Sequence, residues 1–600
     1  MSAPLALKRQ RAASSPKREL SDLIAEVVVD NGVYHLDETF SYAVPKGLAH
    51  LLRTGAQVKV PFQDRTCTGI VWKIRKAENS AKLKVVDGVV DTMALSQQMI
   101  EICDRVVERY ACSRHDVLRF MDGGLKSLEI LEIPQEGKRQ SGQRIFHKVK
   151  GGSVAAYTAN LLSTLSGRIL VVCDTKASVD AVLDGCSGIN NQVFDLGTAS
   201  RSEFRKTAGD FRKSKQGVAI GMRSLILTSL GHADHIIVLN EWSEHHWERR
   251  SPYWNTRDVA LMRAESEGSA LHFVSGSSSL ELARLLETGY IKLARTKAPR
   301  HPKPSLITFA PESFHRVIAA GLKRGNVLVS VASKSYVGSL ICRRCRNKAL
   351  CNCGGSISEK SSKNYGCAIC LTSSKSLKCN ECGGIEFLMM RKGAQRLAFE
   401  IGKAFPQARI NIATSETQSI SEDHHRTISI ATTGMEPAVP SGYFGVVLLD
   451  GEFLTSMATL RSEEQTWHRW NSVLQFAAPG AAIHISLPRA HVISQDLSLP
   501  HSDIYLQRSL RSRADSQLPP YFRMVSIGGE ASSLRNLAHK LGAEISRGVE
   551  IFPVSSEGKL WVKVSISTAP KLLAMLRVVQ RYRAASKRNL FMIQVDPYEI

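Results

Sequence analysis

The sequence lacks any apolar run that approaches the roughly twenty residues of a transmembrane helix. It also lacks an apolar segment behind its first basic residues, which argues against a secretory signal. Acidic residues are in deficit, with 55 Asp and Glu against 79 Lys and Arg and a formal net charge of +24. This charge favours a polyanionic partner, with nucleic acid ahead of an anionic membrane surface. We therefore predict a cytoplasmic protein that has nucleic acid and not a membrane as its partner.

Cysteine is scattered except in one segment, residues 342–382, which holds eight of the thirteen cysteines. They form close pairs: Cys342 and Cys345, Cys351 and Cys353, Cys367 and Cys370, Cys379 and Cys382. A Cys-x2-Cys turn places two thiolates on one tetrahedral ion, so eight thiolates predict two four-cysteine sites. Zn²⁺ is the favoured ion, iron–sulfur clusters are the alternative, and disulfides fit poorly without a secretory signal. The gap between Cys351 and Cys353 is one residue short, which leaves the ligand role of Cys353 open.

The first part of the chain divides into three segments. Residues 1–20 mix basic residues with Ala, Ser and Pro, and predict a disordered tail. Residues 21–90 carry short alternating strands between turn residues, which predict a small all-β domain. Residues 91–135 include a helical pattern over 96–120, and predict a small helical module.

Two α/β blocks and a final α+β domain follow. Strands and helices alternate over residues 136–300 and again over 301–490, which predicts two parallel sheets covered by helices. The cysteine segment, 342–382, interrupts the second block. Residues 491–600 end in a β-α-β-β-α-β order, which suggests a ferredoxin-like sandwich. The predicted fold class is therefore multidomain α/β.

Two consecutive α/β blocks on a basic chain suggest the two lobes of a helicase motor, but its chemical motifs are missing. The expected phosphate loop contains Gly151, Gly152 and Ser153 without a following lysine. The strand that should end in an acidic pair ends in Asn240 and Glu241, and Asn is a poor Mg²⁺ ligand beside phosphates. The late segment 474–480 has no arginine to stabilise a transition state. We assign no catalytic residue, and we expect His245, His246 and Trp247 to lie in a surface loop.

With these segments in view, the chain resembles the PriA family of replication restart helicases from residue 20 onward. The resemblance is carried by Phe40, Tyr42, Val44 and Pro45, by 221–224, 240–241, 257–264 and 275–281, by the cysteine array, by 518–521 and by 595–598. The loss of motor motifs is similar to the actinobacterial branch of the family. The resemblance implies two RecA-like helicase lobes with a zinc-binding insertion, and a winged helix at the helical module.

Site residues follow from the same resemblance. It implies that Cys342, Cys345, Cys379 and Cys382 share one Zn²⁺, and that Cys351, Cys353, Cys367 and Cys370 share the other. It places a degenerate nucleotide site at Gly151, Gly152, Ser153 and Glu241, where binding of ATP and Mg²⁺ is doubtful. It implies that a DNA 3′ end is gripped near Phe40 and Tyr42, although Ser41 replaces the family's Asp. On the first cysteine pair, Arg343, Arg344 and Arg346 are our candidates for DNA contact.

Three functional hypotheses remain open. The first is a DNA-binding scaffold without helicase activity, which recognises stalled or branched forks and single-strand/duplex junctions. Its implied partners are primosome and helicase-loading proteins, with a single-stranded-DNA-binding protein as a further possibility. The second is an active ATP-dependent 3′-to-5′ DNA helicase. The third is a zinc-stabilised protein-interaction scaffold.

Overall fold

The protein is described by a computed structural model. The described residues are 19–76, 83–91, 94–121, 142–149, 152–189, 191–197, 200–294, 303–332, 340–345, 347, 349–353, 357–361, 364–367, 372–389, 394–414, 426–457, 459–499, 502–545 and 547–599. The predicted mixed α/β class with parallel sheets is confirmed. The predicted basic tail lies outside the described residues except at its last two positions.

The first unit, the N-terminal sheet, is antiparallel with strand order β2-β1-β4-β3-β5. Its strands are β1 (Leu20–Val29), β2 (Thr39–Pro45), β3 (Gln57–Phe62), β4 (Arg65–Lys76) and β5 (Gly88–Asp91). Alternate residues such as Val58 and Val60 point to its core and are fully buried, while Lys59 between them is exposed. This period of two is the pattern that predicted the strands.

A helical pair follows the N-terminal sheet: α1 (Gln97–Tyr110) and α2 (Arg114–Met121). The Ser96 side chain caps α1 by accepting a hydrogen bond from the backbone N–H of Met99, at 3.2 Å. The helix ends where Ala111 adopts a left-handed conformation. The remainder of the predicted helical module, residues 122–135, lies outside the described residues.

The second unit, the first parallel sheet, has strand order β12-β6-β11-β10-β7-β9-β8, with every pairing parallel. Its elements are β6 (Arg144–Lys148), α3 (Val154–Leu162), β7 (Arg168–Cys173), α4 (Lys176–Gly185), β8 (Val193–Asp195), α5 (Arg201–Lys213), β9 (Gly217–Met222), β10 (His235–Leu239), α6 (Thr256–Glu267), β11 (Ala270–Ser275), α7 (Leu280–Glu287) and β12 (Lys292–Leu293). Helices cover the sheet, so its central strands are continuous apolar runs.

The third unit, the second parallel sheet, has strand order β13-β23-β22-β14-β21-β20, again with parallel pairings. The elements over this range are β13 (Leu306–Thr308), α8 (Phe314–Leu322), β14 (Val327–Val331), β15 (Leu340–Cys342), β16 (Ile357–Ser361), β17 (Asn364–Cys367), β18 (Ser373–Ser374), β19 (Phe387–Met389), α9 (Ala394–Ala404), β20 (Arg409–Ala413), β21 (Thr427–Thr432), β22 (Tyr443–Leu448), α10 (Gly451–Thr455), α11 (Ser462–Leu474), β23 (Ala477–Ile485), α12 (Val492–Ser498) and α13 (Ile504–Asp515).

Two parts of that range stand apart from the parallel sheet itself. The short strands β15 to β19 form two small antiparallel sheets that carry the cysteines. Helices α12 and α13 pack on the core of the second parallel sheet, since Ile493 and Tyr505 join the same buried cluster as Trp467. Residues 492–515 therefore pack with the unit that precedes them.

The last unit, the C-terminal sheet, is antiparallel with strand order β25-β26-β24-β27. Its elements are β24 (Phe522–Gly528), α14 (Ala531–Glu544), β25 (Val549–Ile551), β26 (Lys559–Ser565), α15 (Ala569–Ala585) and β27 (Met592–Val595). This is the β-α-β-β-α-β order that the sequence predicts. Helix α1 packs against both α6 and α15, so it joins the first parallel sheet to the C-terminal sheet.

Candidate functional site

The outer cysteines meet in one cluster. The sulfurs of Cys342, Cys345, Cys379 and Cys382 all lie within 4.8 Å of one another. Two glycines follow Cys382, and each has a structural reason. Gly383 has a φ of +70°, which favours glycine, and a Cβ at Gly384 would lie only 3.1 Å from the Cys342 sulfur. Four thiolates at this spacing fit a tetrahedral ion such as Zn²⁺.

The thiols of this cluster differ in pKa. Backbone N–H groups, first that of Cys345, lower the pKa of Cys342 to about 6. The largest single influence on Cys345 is the backbone N–H of Asn347, which lowers its pKa. Burial and the neighbouring thiols together outweigh this effect and raise the pKa of Cys345 to about 12. Four thiolates so close together repel one another unless a cation neutralises them. The donor set therefore suits a divalent ion that displaces the thiol protons.

The inner cysteines form a second cluster. Cys351, Cys353 and Cys367 bring their sulfurs together, and those of Cys353 and Cys367 are 3.4 Å apart. The short gap before Cys353 therefore does not keep its sulfur from the cluster. Cys370, the fourth predicted ligand, lies outside the described residues. Both clusters could hold metal ions.

The two aromatic residues predicted at the DNA 3′-end grip lie on the core side of the N-terminal sheet. Tyr42 is 3% exposed, and its hydroxyl donates to the carbonyl of Pro61 at 3.3 Å. Burial raises the pKa of Tyr42 to about 12. Phe40 is partly buried and packs edge-on against Phe62, with ring centroids 5.1 Å apart. A DNA strand could reach Phe40 more easily than Tyr42.

The arginines predicted to contact DNA lie beside the outer cysteine cluster. Arg343 and Arg344 are exposed, and the Arg343 guanidinium is 3.1 Å from the carboxylate of Glu386. Both side chains of that ion pair are exposed, so the pair is weak and Arg343 can exchange Glu386 for another anion. Arg346 lies outside the described residues.

The predicted nucleotide loop is described at Gly152 and Ser153, whereas Gly151 lies outside the described residues. Gly152 has a φ of +86°, and the Ser153 side chain caps α3 by accepting from the backbone N–H of Ala155. Lys148, just before the loop, pairs with Asp503 at the start of α13, at 2.5 Å. A cation near this loop is thus already neutralised by a carboxylate from the second half of the chain.

Glu241 is the last member of the predicted nucleotide site, and it is completely buried. It accepts hydrogen bonds from the backbone N–H and hydroxyl of Ser279, at 2.7 and 2.9 Å, and pairs with Arg257 at 3.1 Å. Burial raises the pKa of Glu241, although Arg257 opposes the effect. Because both carboxylate oxygens are engaged inside the protein, Glu241 is not placed to orient a water on a nucleotide.

The Glu241–Arg257 pair belongs to a larger buried network, the ion latch, which joins the two parallel sheets. Glu281 lies 3.5 Å from Arg257 and 2.5 Å from Arg461, which comes from the second parallel sheet unit. Arg461 also pairs with Glu464, whose carboxylate accepts from the backbone N–H of Leu280 at 3.0 Å. Although burial opposes it, Arg461 holds the pKa of Glu281 well below its usual range. Against the effect of burial, Arg461 likewise lowers the pKa of Glu464, so the cation of the second unit favours the ionised form of both carboxylates that it contacts.

The ion latch extends to α1 and to the end of the chain. Arg109 contacts Asp258 at 2.5 Å and Asp596 at 3.1 Å. Arg523 of β24 is 3.0 Å from the same carboxylate of Asp596. Although burial opposes it, Arg109 lowers the pKa of Asp258. The helical pair, both parallel sheets and the C-terminal sheet thus share one chain of buried and partly buried charges.

Aromatic rings fill the rest of this interface. Trp242 stacks on His468 with ring centroids 4.6 Å apart and an interplanar angle of 5°. The expected surface position holds for His245, which is exposed, and is wrong for His246, which is fully buried, and for Trp247, which is 7% exposed. Trp247 lies between Arg257 and Arg461, its ring centroid 6.0 and 5.6 Å from their guanidinium carbons. Packing between the two parallel-sheet units, and not a surface loop, surrounds the His246 and Trp247 side chains.

The interface is closed as well as polar. Gly276 of the first parallel-sheet unit faces the Gln475 side chain of the second, whose nitrogen would lie 1.7 Å from a Cβ at Gly276. Sequence reasoning noted 257–264 and 275–281 only as parts of a resemblance and missed Arg461 and Glu464. An Arg and a Glu three residues apart at the start of a helix give no signal that their partners lie in another unit.

Comparison with known proteins supports the resemblance seen in the sequence. Residues 26–121 match the family model described as the 3′ DNA-binding domain (3′BD) of PriA. The probable replication restart protein PriA of Mycobacterium tuberculosis (strain CDC 1551 / Oshkosh) is 24% identical over 655 residues, covering 95% of this chain and 99% of that protein. The resemblance to PriA is confirmed.

More distant PriA proteins match over a similar length. The replication restart protein PriA of Rickettsia felis is 19% identical, covering 90% of this chain and 91% of that protein. Among solved structures, the NS3-like helicase from Alongshan virus has a TM-score of 0.31 at 11% identity, covering 62% of this chain and 80% of that one. We draw no conclusion from a structural likeness of that size.

Proposed function

We propose that this protein is a DNA-binding replication restart protein that recognises stalled or branched forks and helps to assemble the primosome without acting as a helicase. DNA binding is supported by the match of residues 26–121 to a PriA 3′ DNA-binding domain and by the net charge of +24. Replication restart is supported by the similarity to PriA proteins over 95% of the chain.

The absence of motor activity is supported by one observation above all, the engagement of Glu241 in the ion latch. A motor needs two lobes that open and close as nucleotide binds and leaves. Here Arg257 pairs with Glu241 and Glu281 of the first unit, Glu281 also pairs with Arg461 of the second, and Lys148 near the loop is paired with Asp503. Separating the sheets would expose several charged groups that are now partnered, so we propose that the two RecA-like lobes act as a rigid platform.

The cysteine clusters complete the proposal. We propose one Zn²⁺ on the outer cysteines and one on the inner cysteines, with Cys370 completing the second site. Their role is structural, since the described residues around them form only short strands that could not build a core alone. Arg343, Arg344 and Arg346 would contact DNA phosphates from this module, and Phe40 and Tyr42 would lie near the bound 3′ end.

The partners follow from the PriA resemblance. We propose primosome and helicase-loading proteins, with a single-stranded-DNA-binding protein as a further partner, in the cytoplasm. No helix in the described residues combines the length and apolarity needed to cross a lipid bilayer.

The decisive experiment measures ATP turnover and fork binding by the zinc-loaded protein in one buffer. We expect tighter binding to forked DNA than to duplex of equal length, a steep salt dependence, and no DNA-stimulated phosphate release. Phosphate release that disappears in Glu241→Gln while fork binding persists, together with unwinding of duplex that carries a 3′ tail, would instead establish an active ATP-dependent 3′-to-5′ helicase. Failure to bind any DNA at physiological salt would favour a zinc-stabilised protein-interaction scaffold.

A further inference from the structure

The two cysteine clusters differ in their access to solvent. Among the twelve cysteines that the structure describes, Cys353 of the inner cluster alone is exposed. In the outer cluster, Cys342 and Cys379 are buried, and Cys345 and Cys382 are half-buried. A reagent dissolved in water therefore reaches the inner cluster more easily than the outer one.

The exposed thiol of the inner cluster lies beside a buried one. The Cys353 sulfur is 3.4 Å from that of Cys367, which is 2% exposed. Cys353 lies in a turn, whereas Cys367 ends β17, pairs with Ile357 of β16 and donates its backbone N–H to the carbonyl of Thr372 at 3.0 Å. The sulfurs of a disulfide are about 2.0 Å apart, so an approach of about 1.4 Å would allow the two to bond.

Close sulfurs also occur in the outer cluster, so distance alone does not distinguish the clusters. Cys342 and Cys382 are 3.5 Å apart, and so are Cys345 and Cys379. The outer cluster is enclosed, however, because a Cβ at Gly384 would already lie 3.1 Å from the Cys342 sulfur. Exposure is therefore the property that sets the inner pair apart.

The chemistry of thiols gives this difference a consequence. Cysteines that bind a divalent ion do so as thiolates, and the thiolate is the form that peroxides oxidise. Oxidation favours exposed thiolates, and it is reversible where a second thiol is close enough to form a disulfide. Cys353 and Cys367 combine exposure of the first sulfur with proximity of the second.

We propose that the inner cysteines are a site of reversible oxidation by hydrogen peroxide, with Cys353 as the residue attacked and Cys367 as the residue that forms the disulfide. The inference goes beyond DNA binding and rests on the proposed metal binding by the inner cysteines only for the release of zinc. Oxidation exchanges a metal site for a covalent bond at the same place in the fold.

Two steps account for all atoms and electrons. The Cys353 thiolate attacks one oxygen of hydrogen peroxide, the O–O bond breaks, and hydroxide leaves a sulfenic acid on Cys353. The Cys367 thiolate then attacks the Cys353 sulfur, the S–S bond forms, and the S–O bond breaks to release a second hydroxide. Each sulfur loses one electron, and the peroxide gains both. Cys351 and Cys370 alone would be too few ligands for a stable tetrahedral site, so the ion leaves.

The test exposes full-length, zinc-loaded wild type to hydrogen peroxide, beside Cys353→Ser and Cys382→Ser. Cys353→Ser removes the exposed thiol of the inner cluster, and Cys382→Ser is the matched control that removes one thiol of the outer cluster. Zinc release is followed with a chelating dye, and disulfides are mapped by mass spectrometry after the remaining thiols are blocked. Circular dichroism verifies that both variants fold.

We expect wild type to release about half of its zinc and to form the Cys353–Cys367 disulfide, and we expect dithiothreitol with added zinc to reverse both changes. Under the same exposure Cys382→Ser should lose nearly all of its remaining zinc, and Cys353→Ser nearly none.

Three results would overturn the inference: equal zinc release from Cys353→Ser and wild type, a bond from Cys353 to any cysteine other than Cys367, or a sulfinic acid on Cys353 in place of a disulfide. If wild type holds no zinc at the inner cysteines before treatment, the proposed metal site fails. Disulfide mapping would then still decide whether Cys353 and Cys367 are the pair that peroxide oxidises.

Discussion

At the residue scale, charge burial dominates the interface between the two parallel sheets. Arg257 and Arg461 are about as buried as core residues, with 6% and 7% of their side chains exposed. Arg257 contacts three carboxylates and Arg461 contacts two, one of which, Glu281, they share. Glu241 and Glu464 also accept hydrogen bonds from backbone N–H groups. Removing one member leaves the others as unpaired buried charges, so single substitutions should be costly.

Arg461→Ala is expected to lower the apparent stability of the parallel-sheet units by about 3–5 kcal/mol, because Glu281 and Glu464 lose their shared cation. Urea denaturation followed by tryptophan fluorescence measures this directly, since Trp247 lies against Arg461. The matched control Arg343→Ala removes an exposed ion pair and should change stability by about 1 kcal/mol or less. A similar small effect in both variants would contradict the latch.

A row of histidines on the first parallel sheet should make stability depend on pH. The His272 ring nitrogens lie 3.1 Å from His147 and 3.2 Å from His235, and the other ring nitrogen of His147 is 3.0 Å from the Tyr157 hydroxyl. Burial lowers the pKa of His272 to about 3, with the two imidazoles adding to the effect. Asp234 beside His235 acts in the opposite direction on the pKa of that histidine.

The direction of the change in stability with pH follows from the pKa of His272 in the folded and unfolded states. In the unfolded state His272 becomes protonated as the pH falls below the ordinary histidine pKa of 6.5. In the folded state it stays neutral down to about pH 3. Stability should therefore fall as pH falls from 6.5 towards 3. His272→Leu should flatten this part of the curve measured by denaturant titration, whereas the exposed His539→Leu should not. An unchanged curve in His272→Leu would show that other groups carry the pH dependence.

At the element scale, the short strands around the cysteines depend on metal, whereas the parallel sheets have their own apolar cores. Strands of two to five residues, such as β15 to β19, bury little by themselves. The sheet strands, such as Val327–Val331, are buried along their whole length. Metal loss should therefore act locally.

Metal analysis of the purified protein should give two Zn²⁺ per chain. Chelation should make residues 340–389 sensitive to protease, as followed by mass spectrometry, and leave the parallel sheets protected. Cys353→Ser should reduce the metal content to about one per chain, because its sulfur lies in the inner cluster. Cys67→Ser, in the core of the N-terminal sheet, is the control and should keep both ions. Full metal retention by Cys353→Ser would remove it from the ligand set.

At the scale of the whole molecule, the units are joined by charges from distant parts of the chain. Asp596, close to the end, contacts Arg109 of α1 and Arg523 of β24. The main-chain carbonyl of Asp596 accepts from the Trp247 indole at 3.3 Å. The end of the chain thus connects the helical pair, the first parallel sheet and the C-terminal sheet.

Asp596→Ala should loosen this junction, because Arg523 then has no carboxylate partner among the described residues and Arg109 loses one of its two. Faster hydrogen exchange is expected in α1 and β24, measured by mass spectrometry, while the second parallel sheet keeps its protection. Glu599→Ala, an exposed neighbour, is the control. If α1 and β24 exchange no faster in Asp596→Ala than in Glu599→Ala, Asp596 does not join the units.

The element types, the cysteine clusters and the loss of the motor motifs can be predicted from the sequence alone, because each depends on local spacing. The patterns that predict them involve residues close together in the sequence: the period of two in strands, the alternation of strands and helices, and the close cysteine pairs. The partners of Glu241, Arg461 and Asp596 were decided only by tertiary structure, since they lie far apart along the chain. A buried charge and a solvated one look alike in sequence, and only packing decides which of them is withdrawn from water.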